Sequence, residues 1–200
     1  LNPDFSYRFA RFISTVFVPP SFTIIVFTIF ALTLENNFQN KILTILISFI
    51  FGFASPIVLF FILRKKGKII DQDASIKEER TTPFLIAMIF YLVGLLLMIK
   101  FDLNIISIAF WFCYFSNTLI TIIINKFRKI SAHSMGASGA AAATIFVFGL
   151  YGIISLVIVF LVGWSRVKLK CHSLGQVLGG IILAFSSVYV QMFLIIKYFG

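Results

Sequence analysis

A chain of 200 residues that is 60% apolar and only 12% charged, with a mean hydropathy of +1.05, has more apolar surface than a water-soluble fold of this size can hide. Its net charge of +10 does not point to nucleic acid. The basic residues sit in short connections between long apolar runs, where anionic headgroups or phosphates are the natural partners.

Cutting the sequence at its charged residues and histidines leaves uncharged windows over 12–34, 42–63, 81–99, 103–125, 134–165 and 173–196. Each is long enough to cross a hydrocarbon core of about 30 Å, which takes roughly 20 helical residues. Runs of this length are not the short alternating segments of a barrel. The expected fold is therefore all-α: a polytopic integral membrane bundle of six or seven helices, forming a single transmembrane domain over 1–200.

The first window carries Pro19-Pro20 and the second Pro56, so both helices are expected to kink. The first lacks a small-residue cleavage pattern and is expected to stay as a span rather than act as a signal peptide. A long polar loop from Arg64 to Thr82 follows, and Pro83 suits the first turn of the third span. The fifth window, 134–165, would run about 48 Å as one helix, well beyond the bilayer core. Gly149-Leu150-Tyr151-Gly152 offers a turn near its middle, giving a hairpin of 134–148 and 153–165, with a single tilted helix as the alternative. The first arm is rich in glycine, alanine and serine, which permit close helix contact. With a hairpin here, one membrane side receives every lysine and arginine except Lys41, Lys100 and Lys197. The positive-inside rule makes that side cytoplasmic, in what is expected to be a bacterial inner membrane.

Cys113 and Cys171 give neither a disulfide framework nor a metal-ligand spacing. The chain has two histidines, in Lys129-Ile-Ser131-Ala-His133 and in Ser165-Arg166-Val-Lys-Leu-Lys-Cys-His172. A lone interfacial histidine is usually a solvated polar residue. Two of them, each behind a serine and a cation and each opening a helix, fit a phosphoryl site better. Helix N-termini favour anions, and cationic side chains neutralise phosphoryl oxygens in transit.

These two segments resemble the type 2 phosphatidic acid phosphatase superfamily of membrane lipid phosphatases. Its third motif is Ser-Arg, five residues, His, three residues, Asp. Ser165, Arg166 and His172 match it, and Gln176 stands at the Asp position. Its second motif, Pro-Ser-Gly-His, is similar to Ile130-Ser131-Ala132-His133. The first motif, Lys, six residues, Arg-Pro, has no counterpart, and its phosphate-gripping role would pass to Lys129, Arg128 or Lys126, or to Lys77 and Arg80 before the third span. The resemblance implies a helical hairpin between the second and third motifs. It also implies His172 as nucleophile and His133 as the acid that protonates the leaving oxygen and then activates water. Arg166, Lys129, Ser131, Ser165 and the Ala132 N–H would hold phosphate oxygens. No metal or other cofactor is implied.

An Asp at position 176 would orient His172 and stabilise its imidazolium by charge. Gln176 can accept the same ring N–H but supplies no charge. The expected function is hydrolysis of a lipid phosphate or prenyl (di)phosphate. Two alternatives stand beside it. Asp71, Asp73, Glu78 and Glu79 could hold magnesium in a metal-dependent prenyl or phosphatidyl transferase, although they read more simply as a loop balancing its own lysines. The chain could also be a non-catalytic family member that binds lipid phosphate without turnover.

Overall fold

The computed structural model describes residues 4–70, 76 and 78–200. All regular structure among the described residues is helical. Nine α-helices follow in order: α1 (Phe5–Val16), α2 (Pro19–Leu34), α3 (Phe38–Ile47), α4 (Ser55–Lys65), α5 (Thr81–Lys100), α6 (Ile105–Phe127), α7 (Ala132–Phe148), α8 (Ser155–Lys168) and α9 (Leu174–Phe199). A π-helical stretch, Ser48–Ala54, joins α3 to α4, and 3-10 turns precede α5 and α8. Among the described residues, five helical runs are long and apolar enough to cross a membrane, and a sixth is reached if α1 and α2 count as one broken span. The protein is an integral membrane protein.

The first window does not form one kinked helix over 12–34. Its helix stops at Val16, and a new one starts at Pro19. Val18 precedes a proline, which disfavours helical backbone there, while Pro19 suits the first helical position. α1 is amphipathic: it buries Ala10, Ile13 and Ser14 and exposes Phe5, Phe12 and Val16 beside Arg8. Aromatic and cationic side chains on one open face suit a helix lying in the headgroup layer. The second window runs as one helical stretch, Phe38–Lys65, with its π-helical segment just before Pro56. Ser55 N–H reaches back five residues to Ile50 O, and the widened turn accommodates the N–H that Pro56 lacks.

Two compact units make up the chain. The second comprises Thr23–Arg128 and Val190–Gly200. Its core is aromatic: Phe27, Phe30, Phe110 and Trp111 are fully shielded or nearly so, and Trp111 Nε1 donates to Tyr91 O at 2.7 Å. The indole fits because Gly94 has no side chain; a Cβ there would come within 2.3 Å of Trp111. The buried carboxylate of Glu35 accepts from Asn104 N–H (2.9 Å) and the Thr44 hydroxyl (3.1 Å), tying the residue after α2 to the body of α3 and the start of α6.

The first unit holds the chain up to Phe22 and Lys129–Tyr189. α7 is its centre, with Ser134, Met135 and Ala137–Ala143 all buried. Small residues allow the close approach of its neighbours: a Cβ on Gly136 would meet Phe22 and Pro19 at 3.2 Å, and one on Gly180 of α9 would lie 3.0 Å from Ser131 O. α7 ends at Gly149, whose φ of +57° favours glycine. The chain then turns back through Gly149–Ile154, and α8 packs along α7.

The hairpin expected at Gly149–Gly152 is present, and its tightest point is Gly152. A Cβ there would sit 2.5 Å from Thr144 O and 2.6 Å from Ile145 N, backbone atoms that cannot yield as a flexible side chain would. Gly149 faces open space, so alanine there meets only the backbone strain of φ +57° and ψ −126°, about 1–3 kcal/mol. Gly152→Ala, whose Cβ must push backbone atoms apart, is expected to lower thermal stability in detergent micelles by about 3 kcal/mol or more, and by more than Gly149→Ala. Equal melting of the two variants would contradict this account of the turn.

Candidate functional site

The last turn of α8 sets the geometry of the site. Lys170 N–H donates to Val167 O (2.9 Å), and Cys171 N–H donates to Arg166 O (3.1 Å). This is a Schellman ending, in which Lys170 adopts φ +55° where glycine is usual. His172 N–H closes on the same Arg166 carbonyl at 3.3 Å. The five residues between Arg166 and His172 are thus a helix end and a reversal that bring the two residues together. Ser173 then caps α9. Its Oγ accepts from Gln176 N–H (3.3 Å), and Gln176 Oε1 accepts in return from Ser173 N–H (3.2 Å), the reciprocal pair of a capping box.

The same Gln176 Oε1 lies 3.1 Å from His172 Nδ1. A backbone N–H can only donate, so the Gln176 atom facing Ser173 is its oxygen. For His172 to bond that oxygen, Nδ1 must carry a proton, and in the neutral ring the lone pair is then on Nε2. The tautomer therefore follows from the cap.

The other histidine stands near the start of α7. Ser131 caps that helix, its Oγ accepting from Ser134 N–H (3.3 Å) and from the Ser134 hydroxyl (2.9 Å). Ala132 and His133 are its first two residues, and amides of a first turn have no intrahelical acceptor. Two bonds stitch this segment to the other. Ser131 N–H donates to Gln176 O at 3.3 Å, and Lys129 Nζ donates to Cys171 O at 2.8 Å. A straight helix from Ala132 to Lys168 would hold those ends about 55 Å apart, so both bonds depend on the hairpin.

Arg166 is fully buried and His172 is 6% exposed, while Lys129, His133 and Gln176 are half-buried. Arg166 Nη1 donates to Ser14 Oγ from α1. The unit carries Arg8, Arg11, Lys129, Arg166, Lys168 and Lys170 against a single carboxylate, Asp4. Asp4 is exposed, and the Ser6 hydroxyl donating to it at 2.7 Å holds its carboxyl below the usual range. The unit's own charges therefore favour an anion from outside it.

The remaining expected site residues fall elsewhere or are otherwise engaged. The Ser165 hydroxyl donates to Val162 O at 2.8 Å inside α8, so its proton is not offered to a phosphate. Arg80 is buried in the second unit. Lys126 and Arg128 are exposed and belong to that unit as well. Glu79 accepts from Ile70 N–H at 3.1 Å. Lys77, Asp71 and Asp73 lie outside the described residues.

Sequence reasoning missed two participants. Ser173 had a signal, since Ser173-Leu-Gly-Gln176 has the spacing of a capping box. Ser14 had none, because nothing in the chain links a serine in α1 to an arginine in α8. No protein-family model, curated protein or solved structure matches the chain.

Proposed function

We propose that the protein is a membrane lipid phosphatase that hydrolyses a lipid phosphate or diphosphate through a phosphohistidine at His172. The observation that carries this reading is the His172 Nδ1 to Gln176 Oε1 bond of 3.1 Å, which leaves Nε2 as the ring atom that would attack, on a residue whose backbone N–H is bonded to the carbonyl of the buried Arg166. Nε2 attacks the terminal phosphorus, the bond from that phosphorus to the leaving oxygen breaks (the lipid oxygen of a monophosphate, the bridging oxygen of a diphosphate), and that oxygen takes a proton from His133. His133 then removes a proton from water, which attacks the phosphohistidine and releases inorganic phosphate. Arg166, Lys129, Ser131 and the Ala132 N–H hold the phosphoryl oxygens, and their charge complements the transition state. On this reading the positive-inside rule favours the cytoplasmic face of a bacterial inner membrane for the chemistry.

Gln176 orients the nucleophile without a negative charge, and the capping box gives it a second reason to be there. That double duty also favours the alternative of a protein that binds lipid phosphate without turning it over. The discriminating experiment measures phosphate release by the purified protein in micelles containing EDTA. The panel comprises phosphatidic acid, phosphatidylglycerol phosphate and undecaprenyl mono- and diphosphate. Release in EDTA is the expected result. No phosphate release, with group transfer to an added acceptor only when magnesium is present, would favour a metal-dependent transferase, and lipid binding with neither would favour the non-catalytic reading.

A further inference from the structure

We infer that Ser14, on α1, is a positioning residue for Arg166, so that the amphipathic N-terminal helix assembles the phosphate-gripping side of the site. The inference rests on the phosphatase reading, in which Arg166 holds phosphoryl oxygens. α1 braces the catalytic segment at two levels. Ala10, fully buried, packs with Leu169 and Cys171 in the turn that carries His172, and Trp164 closes over them. Phe9 adds a ring contact with Trp164 at 6.0 Å between centroids. One turn further along, Ser14, 3% exposed, accepts the Arg166 Nη1 hydrogen bond.

A single hydroxyl suffices to set this side chain because a guanidinium is planar and rigid. Fixing one N–H fixes the direction of every other N–H in the fork. The edge that would meet two phosphoryl oxygens is thereby pointed by a residue that need not touch substrate. Lysine at 166 would present a rotating point charge with no plane to orient. The value of Ser14 should then vanish in that background, which a packing role would not predict.

The test is a ³¹P NMR titration with inorganic phosphate, run on the full chain in micelles alongside thermal melting. Ser14→Ala is expected to weaken phosphate binding about tenfold, as loss of a hydrogen bond to a charged group implies. Ser14→Thr, which keeps the hydroxyl, should bind as the unaltered protein does. Ser14→Cys, close in size but a poor acceptor, should match the alanine variant in binding while melting normally, which covers the case in which Ser14→Ala fails to fold. In an Arg166→Lys background, Ser14→Ala should add less than about a twofold change. Binding unaltered in Ser14→Ala or Ser14→Cys would overturn the inference while leaving the phosphatase reading intact, as would an equal loss in Ser14→Thr or a tenfold loss persisting in Arg166→Lys. An unaltered protein that neither binds nor releases phosphate would overturn both together.

Discussion

His172→Ala is expected to abolish phosphate release, a loss on the order of 10⁶ by comparison with other covalent mechanisms stripped of their nucleophile. It should do so in a folded protein. The ring contributes one neutral hydrogen bond to Gln176 Oε1, about 1 kcal/mol, and the capping box keeps its own pair of bonds between Ser173 and Gln176. Inorganic phosphate should still bind, because the cations that attract it are untouched. The unaltered protein, quenched during turnover of a ³²P-labelled lipid, should carry label that survives alkali and is lost in acid, the stability expected of a phosphorus–nitrogen bond. In His172→Ala that label should be missing. Turnover surviving the substitution, or label persisting in it, would remove His172 from the role of nucleophile.

Much of the helical frame was legible because hydrocarbon thickness imposes a length and charges mark its limits. The window 81–99 became Thr81–Lys100, 103–125 became Ile105–Phe127, and 173–196 became Leu174–Phe199, each extended by a turn or less into its polar flank. The fold-back in 134–165 was legible for a different reason: the window exceeded one crossing and held a Gly-rich turn at its midpoint. α1 escaped the same search because its two arginines broke the run of uncharged residues. An amphipathic helix is recognised by the arrangement of its faces and not by the absence of charge.

The candidate site divides along similar lines. The Arg166 to His172 spacing was readable because a helix end and its reversal are local, and so was the ability of Gln176 to accept the ring N–H. That the acceptor must be Oε1 emerged only with the capping box, whose Ser-x-x-Gln spacing stood in the sequence. Ser14 was out of reach, since its bond to Arg166 joins residues 152 apart in the chain and depends on how α1 lies along α8. Lys170 was equally hidden: a left-handed lysine is a conformation its neighbours impose and its residue type disfavours.

His133→Ala is expected to cost about 10²–10⁴-fold in turnover of lipid substrates, the usual contribution of a general acid or base. The loss should depend on the leaving group. A lipid alkoxide is a poor leaving group and needs a proton as its bond to phosphorus breaks, whereas a nitrophenolate leaves without one. The first half-reaction of an activated aryl phosphate should therefore be nearly unaffected, and labelled phosphoenzyme should form at close to the normal rate. The second half-reaction still needs a base to activate water, so in His133→Ala that phosphoenzyme should accumulate and decay slowly. Steady-state rates alone would blur this, because hydrolysis of the intermediate is slowed whichever substrate forms it; rapid-quench measurement of label formation separates the two steps. The expected result is thus a burst of label with the aryl phosphate and little or none with the lipid. Equal slowing of label formation with both substrates would argue that His133 binds phosphate oxygens beside Ser131 and Lys129 and leaves proton transfer to another group.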